Sequence, residues 1–249
     1  CTMAQGMAYF QKKIGLEKIS LLENAEELEE YCYFVAGAVG EMLCGFFINE
    51  ISGLSTQSKK IMRENAVSFG LGLQITNISK DIVVDRGRGW SYVPRTYIEA
   101  NGLTPDEFHS GKSSENDLKV LNCLLNKTVG HLNDALDFIL AIPRSYARIR
   151  LFCIWPLWMA METVAKLHNN HDLLKSNANV KIPRRTVKRI LRQTPFIYWS
   201  NKLLHRSFSN ILKTEDFGSF DHFSIGQLKK RLNGLSLDNI PSKTQTYEF

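Results

Sequence analysis

The stretch Gly70-Leu71-Gly72-Leu73-Gln74-Ile75-Thr76-Asn77-Ile78-Ser79-Lys80-Asp81-Ile82-Val83-Val84-Asp85 decides how the chain is read. Its apolar residues recur at helical spacing and no proline interrupts it. With Gln74 at zero, Asn77 falls at about 300°, Asp81 at about 340° and Asp85 at about 20° around a helix. Four polar side chains thus share a stripe of about 80° on a helix otherwise rich in Ile, Leu and Val. Two carboxylates at i and i+4 repel each other, and burying them is costly unless a cation lies between them. Mg²⁺ suits such a pair, because it takes oxygen ligands and leaves positions for water and phosphate oxygens. A solvated face on a surface helix fits the spacing too; the apolar flanks favour a stripe that borders a cavity.

Helical periodicity continues on both sides. Lys59 to Val84 reads as one long helix closed by the loop Arg86–Gly89. Upstream, residues 1–13 read as a helix that breaks near Gly15. A second helix is expected from Asn24 to about Phe47, with Glu26, Glu27, Glu29 and Glu30 suiting the positive end of its dipole. Downstream, Thr104-Pro105-Asp106-Glu107 has the cap and first-turn proline of a short helix. From Asn116 to Leu140 the pattern is helical again, with Leu118, Leu121, Leu125, Val129 and Leu132 on one side. Further helices are expected over 145–168, 183–192 and 198–212. From Asp216 onward the chain is turn-rich and weakly patterned. Strand signals are nearly absent, so the expectation is an all-α fold, one helical domain over residues 1–249.

Composition bounds the function classes. With 44% hydrophobic and 22% charged residues, the 249-residue chain is an ordinary globular protein, neither disordered nor fibrous. Five cysteines at positions 1, 32, 44, 123 and 153 form no C-x-x-C pair and no zinc spacing, so they read as buried thiols in a reducing cytosol. A formal net charge of +6 favours anionic partners. No nucleic-acid-binding motif is present, which leaves phosphates or an anionic membrane surface. No uninterrupted apolar run reaches the roughly 20 residues of a bilayer span. The nearest, Leu151–Met161, contains Pro156 and reads as a buried core helix. No signal peptide is recognisable at the start.

A second informative segment is Tyr31-Cys32-Tyr33-Phe34-Val35-Ala36-Gly37-Ala38-Val39-Gly40. Glycine inside a helix costs roughly 0.5–1 kcal/mol relative to Ala. Ala36, Gly37 and Gly40 therefore suggest close approach, either of another helix or of a ligand.

Taken together, Y-C-x-x-V-A-G-x-V-G at 31–40, G-L-x-L-Q-x-T-N-I-x-[KR]-D-x-x-x-D at 70–85 and Tyr92-Val93-Pro94 resemble the squalene and phytoene synthases. A third run is similar to the squalene synthase branch: Phe152-Cys153-Ile154-Trp155-Pro156-Leu157-Trp158-Met159-Ala160, then Thr163, Asn169-Asn170 and Lys181-Ile182, with His131 and Asp134 upstream. The resemblance covers about residues 1–195 and leaves 196–249 as a poorly defined extension.

The resemblance implies a terpenoid-synthase-like helical fold and the head-to-head joining of two farnesyl diphosphates through presqualene diphosphate to squalene. Mg²⁺ would assist loss of diphosphate, and NADPH would supply hydride in the last step. By motif, Asp81 and Asp85 would bind Mg²⁺–diphosphate, with Asn77 as a further metal-side ligand and Gln74 in support. Tyr31 would transfer a proton or stabilise a cation in the first half-reaction. Phe152 would offer its π face to a carbocation. Val35 and Val39 would line the hydrocarbon pocket, and Arg86 and Arg88 would contact diphosphate or a flap.

Three departures stand out. The family's first aspartate-rich motif has no counterpart here, so an N-terminally truncated chain, inactive by itself, is expected. Trp90 stands where the family often has Arg, and Leu157 where squalene synthases often carry Gln. Other expectations are a monomer, cytoplasmic, and peripheral at the membrane through the basic stretch Lys181–Arg192. The alternatives are a dehydrosqualene- or phytoene-type synthase that needs no NADPH, a phosphohydrolase releasing farnesol, and a non-catalytic scaffold.

Overall fold

A computed structural model describes residues 2–14, 21–112, 114–175, 180–213, 217–218 and 223–235. Among these the secondary structure is helical, with no strand. In chain order the helices are α1 (Thr2–Ile14), α2 (Ala25–Cys32), α3 (Ala38–Glu50), α4 (Thr56–Gly87), α5 (Arg95–Ala100) and α6 (Pro105–Phe108). They are followed by α7 (Glu115–Ala141), α8 (Ala147–Leu167), α9 (Arg184–Ile197), α10 (Asn201–Leu212) and α11 (Ile225–Gly234).

The caps follow from sequence chemistry. Asn24 accepts a hydrogen bond from the backbone N–H of Glu27 at 2.9 Å and starts α2. Thr104 and Glu107 close a capping box at α6, as do Ser114 and Asp117 at α7.

The centre of the molecule is the antiparallel-type pairing of long helices α4 and α7. The five residues expected on one side of α7 (Leu118, Leu121, Leu125, Val129 and Leu132) are all buried, and so are Val120, Leu124, Leu136 and Ile139. Burying each such side chain contributes roughly 1.5–3 kcal/mol. Between the two helices, Ser68 Oγ donates to Asp134 Oδ2 at 2.7 Å and lies 3.2 Å from His131 Nδ1. His131 and Asp134 thus serve a buried cross-link.

α3 lies across α4 at backbone contact. A Cβ at Gly40 would sit 2.2 Å from the Ala66 carbonyl oxygen, and one at Gly70 would sit 2.4 Å from that of Ala36. Gly72, facing the other way, would meet the Leu132 side chain at 2.9 Å. Ala36 and Gly70, and Gly40 and Ala66, are therefore packing partners, while Gly72 packs on α7.

Several boundaries differ from expectation. The helix expected over 24–47 is interrupted by a π-helical turn, Tyr33–Gly37, between α2 and α3. The loop expected at Arg86–Gly89 begins later, because α4 continues through Gly87 and the N–H groups of Arg88 and Trp90 bond the Asp85 carbonyl. Glu29 and Glu30 are buried and ion-paired, so only Glu26 and Glu27 serve the α2 dipole. The weakly patterned tail contains α11; residues 236–249 and the break near Gly15 lie outside the described residues. Cys32, Cys44 and Cys153 are buried free thiols, and Cys123 is half-buried.

Leu151–Met161 is a core segment, with Cys153, Ile154, Leu157, Trp158 and Met161 buried. Among the described residues, one helical stretch, Ala25–Glu50, is long and apolar enough to cross a membrane. It escaped the sequence reading because acidic residues break its apolar run. Its middle lines a cavity, which accounts for that apolarity.

Candidate functional site

The cavity, of about 310 Å³, lies between α3, α4, α7 and α8. Val35, Ala36, Val39 and Leu43 form one wall, Phe69, Gly70 and Leu73 a second, and Phe138, Phe152 and Pro156 close it. No charged residue is among those lining it. Phe47 meets Phe138 at 6.5 Å and Phe152 edge-on at 6.1 Å. Phe152 stays 53% exposed, although its helix is otherwise deeply packed, so its ring stands at the cavity's edge. Three of the anticipated residues, Val35, Val39 and Phe152, are thus brought together here.

The polar stripe continues from the same helix. Phe69, Leu73, Asn77, Asp81 and Asp85 form one i+4 row on α4, which drifts about 40° per step and so winds about 80° around the helix from Leu73 to Asp81. The row begins in the apolar wall and ends in two carboxylates. Asp81 is the more open, with 41% of its side chain exposed against 14% for Asp85. Burial raises the Asp85 pKa above its ordinary value and the charge of Asp81 adds to the rise, while Arg88 and Lys80 oppose it. Lys80 lies 3.3 Å from Asp81 and 3.4 Å from Asn77 Oδ1; Arg88 lies 3.6 Å from Asp85. Both carboxylates occupy the last turns of α4, where the helix dipole favours cations.

This donor set suits a divalent cation. Two repelling carboxylates at a negative helix end, one of them partly desolvated, gain from a cation placed between them. Among the described residues no third His, Cys, Asp or Glu joins them. Gln74 is half-buried beside the row and Asn77 is exposed. Arg86 turns away, toward Gly111, where it faces the turn after α6.

Tyr31 stands apart from the cavity lining. Its ring stacks on Tyr92 at 4.6 Å and 21°, and Phe10 packs edge-on at 5.5 Å. Burial, a hydrogen bond to Tyr92 and the nearby charge of Asp85 all raise its pKa, so Tyr31 is a neutral phenol at physiological pH. The segment after α4 is held in place for this stack. Backbone N–H groups of Arg95 and Thr96 bond the carbonyls of Leu22 and Glu23 at 2.8 and 3.1 Å. Tyr92 received no role from the sequence, and neither did Phe69, Leu73 or Phe138. The i+4 row running back from Asn77 is the signal that would have found Phe69 and Leu73.

Comparison with known proteins places this arrangement. The profile of the squalene/phytoene synthase family matches residues 1–186. Squalene synthase of Candida albicans is 32% identical over 69% of this chain and 38% of its own length. Squalene synthase of Rattus norvegicus is 28% identical over 72% of this chain and 40% of its own. The chain therefore spans about two fifths of those relatives. A bifunctional lycopene cyclase/phytoene synthase of Colletotrichum graminicola is 36% identical over 49% of this chain. Among solved structures, a ligand complex of TcSQS superposes with a TM-score of 0.68 at 21% identity, covering 93% of this chain and 64% of that one. A dehydrosqualene synthase complex gives 0.59 at 18% identity, covering 83% and 64%. The fold is that of these all-helical, terpenoid-synthase-like enzymes, and the chain is a member of the squalene/phytoene synthase family.

Proposed function

We propose that this chain forms part of a prenyl-transfer site that joins two farnesyl diphosphates head to head, through presqualene diphosphate to squalene. The observation that carries the reading is the single α4 row running from a charge-free cavity to a carboxylate pair. A prenyl diphosphate has the same polarity: an apolar chain with an anionic group at one end.

Asp81 and Asp85 would hold Mg²⁺, with Asn77 beside them, and the ion would neutralise charge on the departing diphosphate. Lys80 and Arg88, already paired with these carboxylates, add positive charge at the same end. Gln74 supports the row. Tyr31, neutral and anchored by Tyr92, supplies an uncharged hydroxyl that can stabilise a nearby cation through its dipole and ring; its raised pKa rules out a phenolate base and makes it a weak acid. Val35 and Val39 exclude water from the hydrocarbon, which matters because water quenches allylic cations. Phe152, at the rim, offers a π face to such a cation.

Squalene as product requires hydride from NADPH, whereas a dehydrosqualene- or phytoene-type product does not. Leu157 is fully buried and does not reach the cavity, so it contributes no polar group there. That observation keeps the NADPH-independent reaction as the second reading. We further propose a monomer working at the cytoplasmic face of a membrane. The membrane part is supported by the α9–α10 corner, where Phe196 and Trp199 are 76% and 52% exposed and exposed Arg192 and Lys202 lie close by in the chain.

The test is Asp81→Asn in the full-length protein, assayed for presqualene diphosphate and squalene with and without NADPH. Loss of one metal-side carboxylate should reduce turnover by on the order of 10²–10³-fold. Undiminished turnover would refute the assignment, and dehydrosqualene or phytoene as the end product even with NADPH present would select the second reading.

A further inference from the structure

The helical segment that supplies Tyr31 and one cavity wall changes its winding midway. The π-helical turn Tyr33–Gly37 holds one residue more than an α-helical turn would. Every side chain beyond it is thereby rotated by about 100° relative to an unbroken helix. Tyr31 lies before the turn, Val35 and Ala36 within it, and Val39 after it. The tyrosine and the apolar wall keep their mutual register only while the turn keeps its extra residue.

One short helix grips both sides of that turn. From α11, Arg231 Nη2 lies 2.6 Å from Glu29 and Nε 3.0 Å from Glu30, both on α2. Two residues earlier, Lys229 Nζ lies 2.6 Å from Glu41 on α3. Glu41 also accepts a hydrogen bond at 2.8 Å from the hydroxyl of Tyr33, the first residue of the turn. From the opposite side, Lys127 of α7 reaches Glu29 at 2.6 Å. Glu29 and Glu30 are only 8% and 6% exposed, so removing a partner strands a buried charge. Lys229 and Glu41 are more open, and by itself such a pair is worth little. Carried on one rigid helix with Arg231, it restrains α3 relative to α2.

We propose that Arg231 and Lys229 are positioning residues, clamping the two ends of the π-helical turn and so setting the register between Tyr31 and the Val35–Val39 wall. The catalytic consequence rests on the prenyl-transfer reading above; the clamp itself does not. Neither residue touches the cavity, so releasing them leaves hydrocarbon binding largely intact while misplacing the tyrosine.

The experiment compares Arg231→Gln/Lys229→Gln with the charge-retaining Arg231→Lys/Lys229→Arg in the full-length protein. Amide hydrogen exchange is read across residues 33–37 and across α7, alongside kcat and KM for farnesyl diphosphate. In the Gln variant, exchange at 33–37 should rise about tenfold with α7 unchanged, the signature of local rather than global opening. kcat should fall ten- to a hundredfold, on the order of the cost of an ångström-scale misplacement, with KM little altered. The charge-retaining variant should keep most of the turnover. Unchanged exchange at 33–37, or a uniform rise that includes α7, would overturn the clamp. Local exchange that responds as expected in a protein with no turnover of farnesyl diphosphate would support the clamp and sink the prenyl-transfer reading instead.

Discussion

Two glycine-to-alanine substitutions on adjoining helices should have opposite signs. At Gly45, on the exposed side of α3, an added Cβ meets nothing within 4 Å. There the only change is intrinsic helix propensity, which favours Ala by about 0.8–1.0 kcal/mol. At Gly70 the same methyl would lie 2.4 Å from the Ala36 carbonyl oxygen, 2.6 Å from its carbon and 2.8 Å from the Gly37 nitrogen. All three are backbone atoms, so no rotamer change relieves the contact. The π-helical turn Tyr33–Gly37 must retreat by about 1 Å to reach van der Waals distance, and interiors packed at native density resist such shifts. Overpacking typically costs about 1–3 kcal/mol, and with only backbone to yield, the upper part of that range applies. After the propensity gain, Gly70→Ala should be less stable by about 1–2 kcal/mol, or about 2–8 °C in Tm for a chain of this size. Urea denaturation of both variants in parallel measures the two signs. Equal stability of the two variants, or a more stable Gly70→Ala, would refute the backbone-contact account of how the π-helical turn crosses α4.

Other outcomes follow from burial and charge. Burial lowers the His131 pKa to about 3, with the Lys127 charge adding to the shift, and burial lowers that of His109 to about 4, with Arg86 adding. Groups held neutral in this way stabilise the fold above their unfolded pKa of about 6.5, and that contribution is lost as pH falls toward the folded values. Stability should therefore decline below pH 6.5 by up to about 1.4 kcal/mol per pH unit for each histidine, and His131→Gln should flatten that slope. A slope unchanged in His131→Gln would show that other groups carry the acid response. At the α9–α10 corner, Phe196→Ser/Trp199→Ser should weaken co-sedimentation with anionic vesicles while leaving Tm nearly unchanged, since both rings are already exposed. Equal binding by the variant and the parent would remove the membrane role from this surface.

Much of the helical order was legible because its signals are local. Asn24, Thr104 and the apolar period of α7 act within one turn of themselves, so the start of α2, the capping box of α6 and the buried side of α7 were all readable. The stripe on α4 was legible for the same reason. What escaped depends on contacts distant in sequence. The acidity of Glu29 and Glu30 looks like dipole compensation until Lys127 and Arg231 arrive from 98 and 202 residues away. The π-helical turn has no period of its own to betray it. Tyr92 acquires significance only by stacking on Tyr31, and α11 only by its grip on α2. Ala36, Gly37 and Gly40 signalled that something approaches closely, and the tertiary structure supplied what, α4; the close contacts of Gly70 with the π-helical turn and of Gly72 with α7 went unread.

The row Phe69–Leu73–Asn77–Asp81–Asp85 also makes α4 a ruler. At 1.5 Å per residue, the eight residues from Leu73 to Asp81 measure about 12 Å between apolar wall and first carboxylate. Because one rigid helix carries both marks, the span is not adjusted by loop motion or by rearrangement between separate elements. Chain-length preference would then be written in helical steps: moving the carboxylates one turn along α4 lengthens or shortens the accepted tail by about 5.4 Å. Selectivity among prenyl chains would thus reside in the count of residues along α4 as much as in the shape of the cavity it borders.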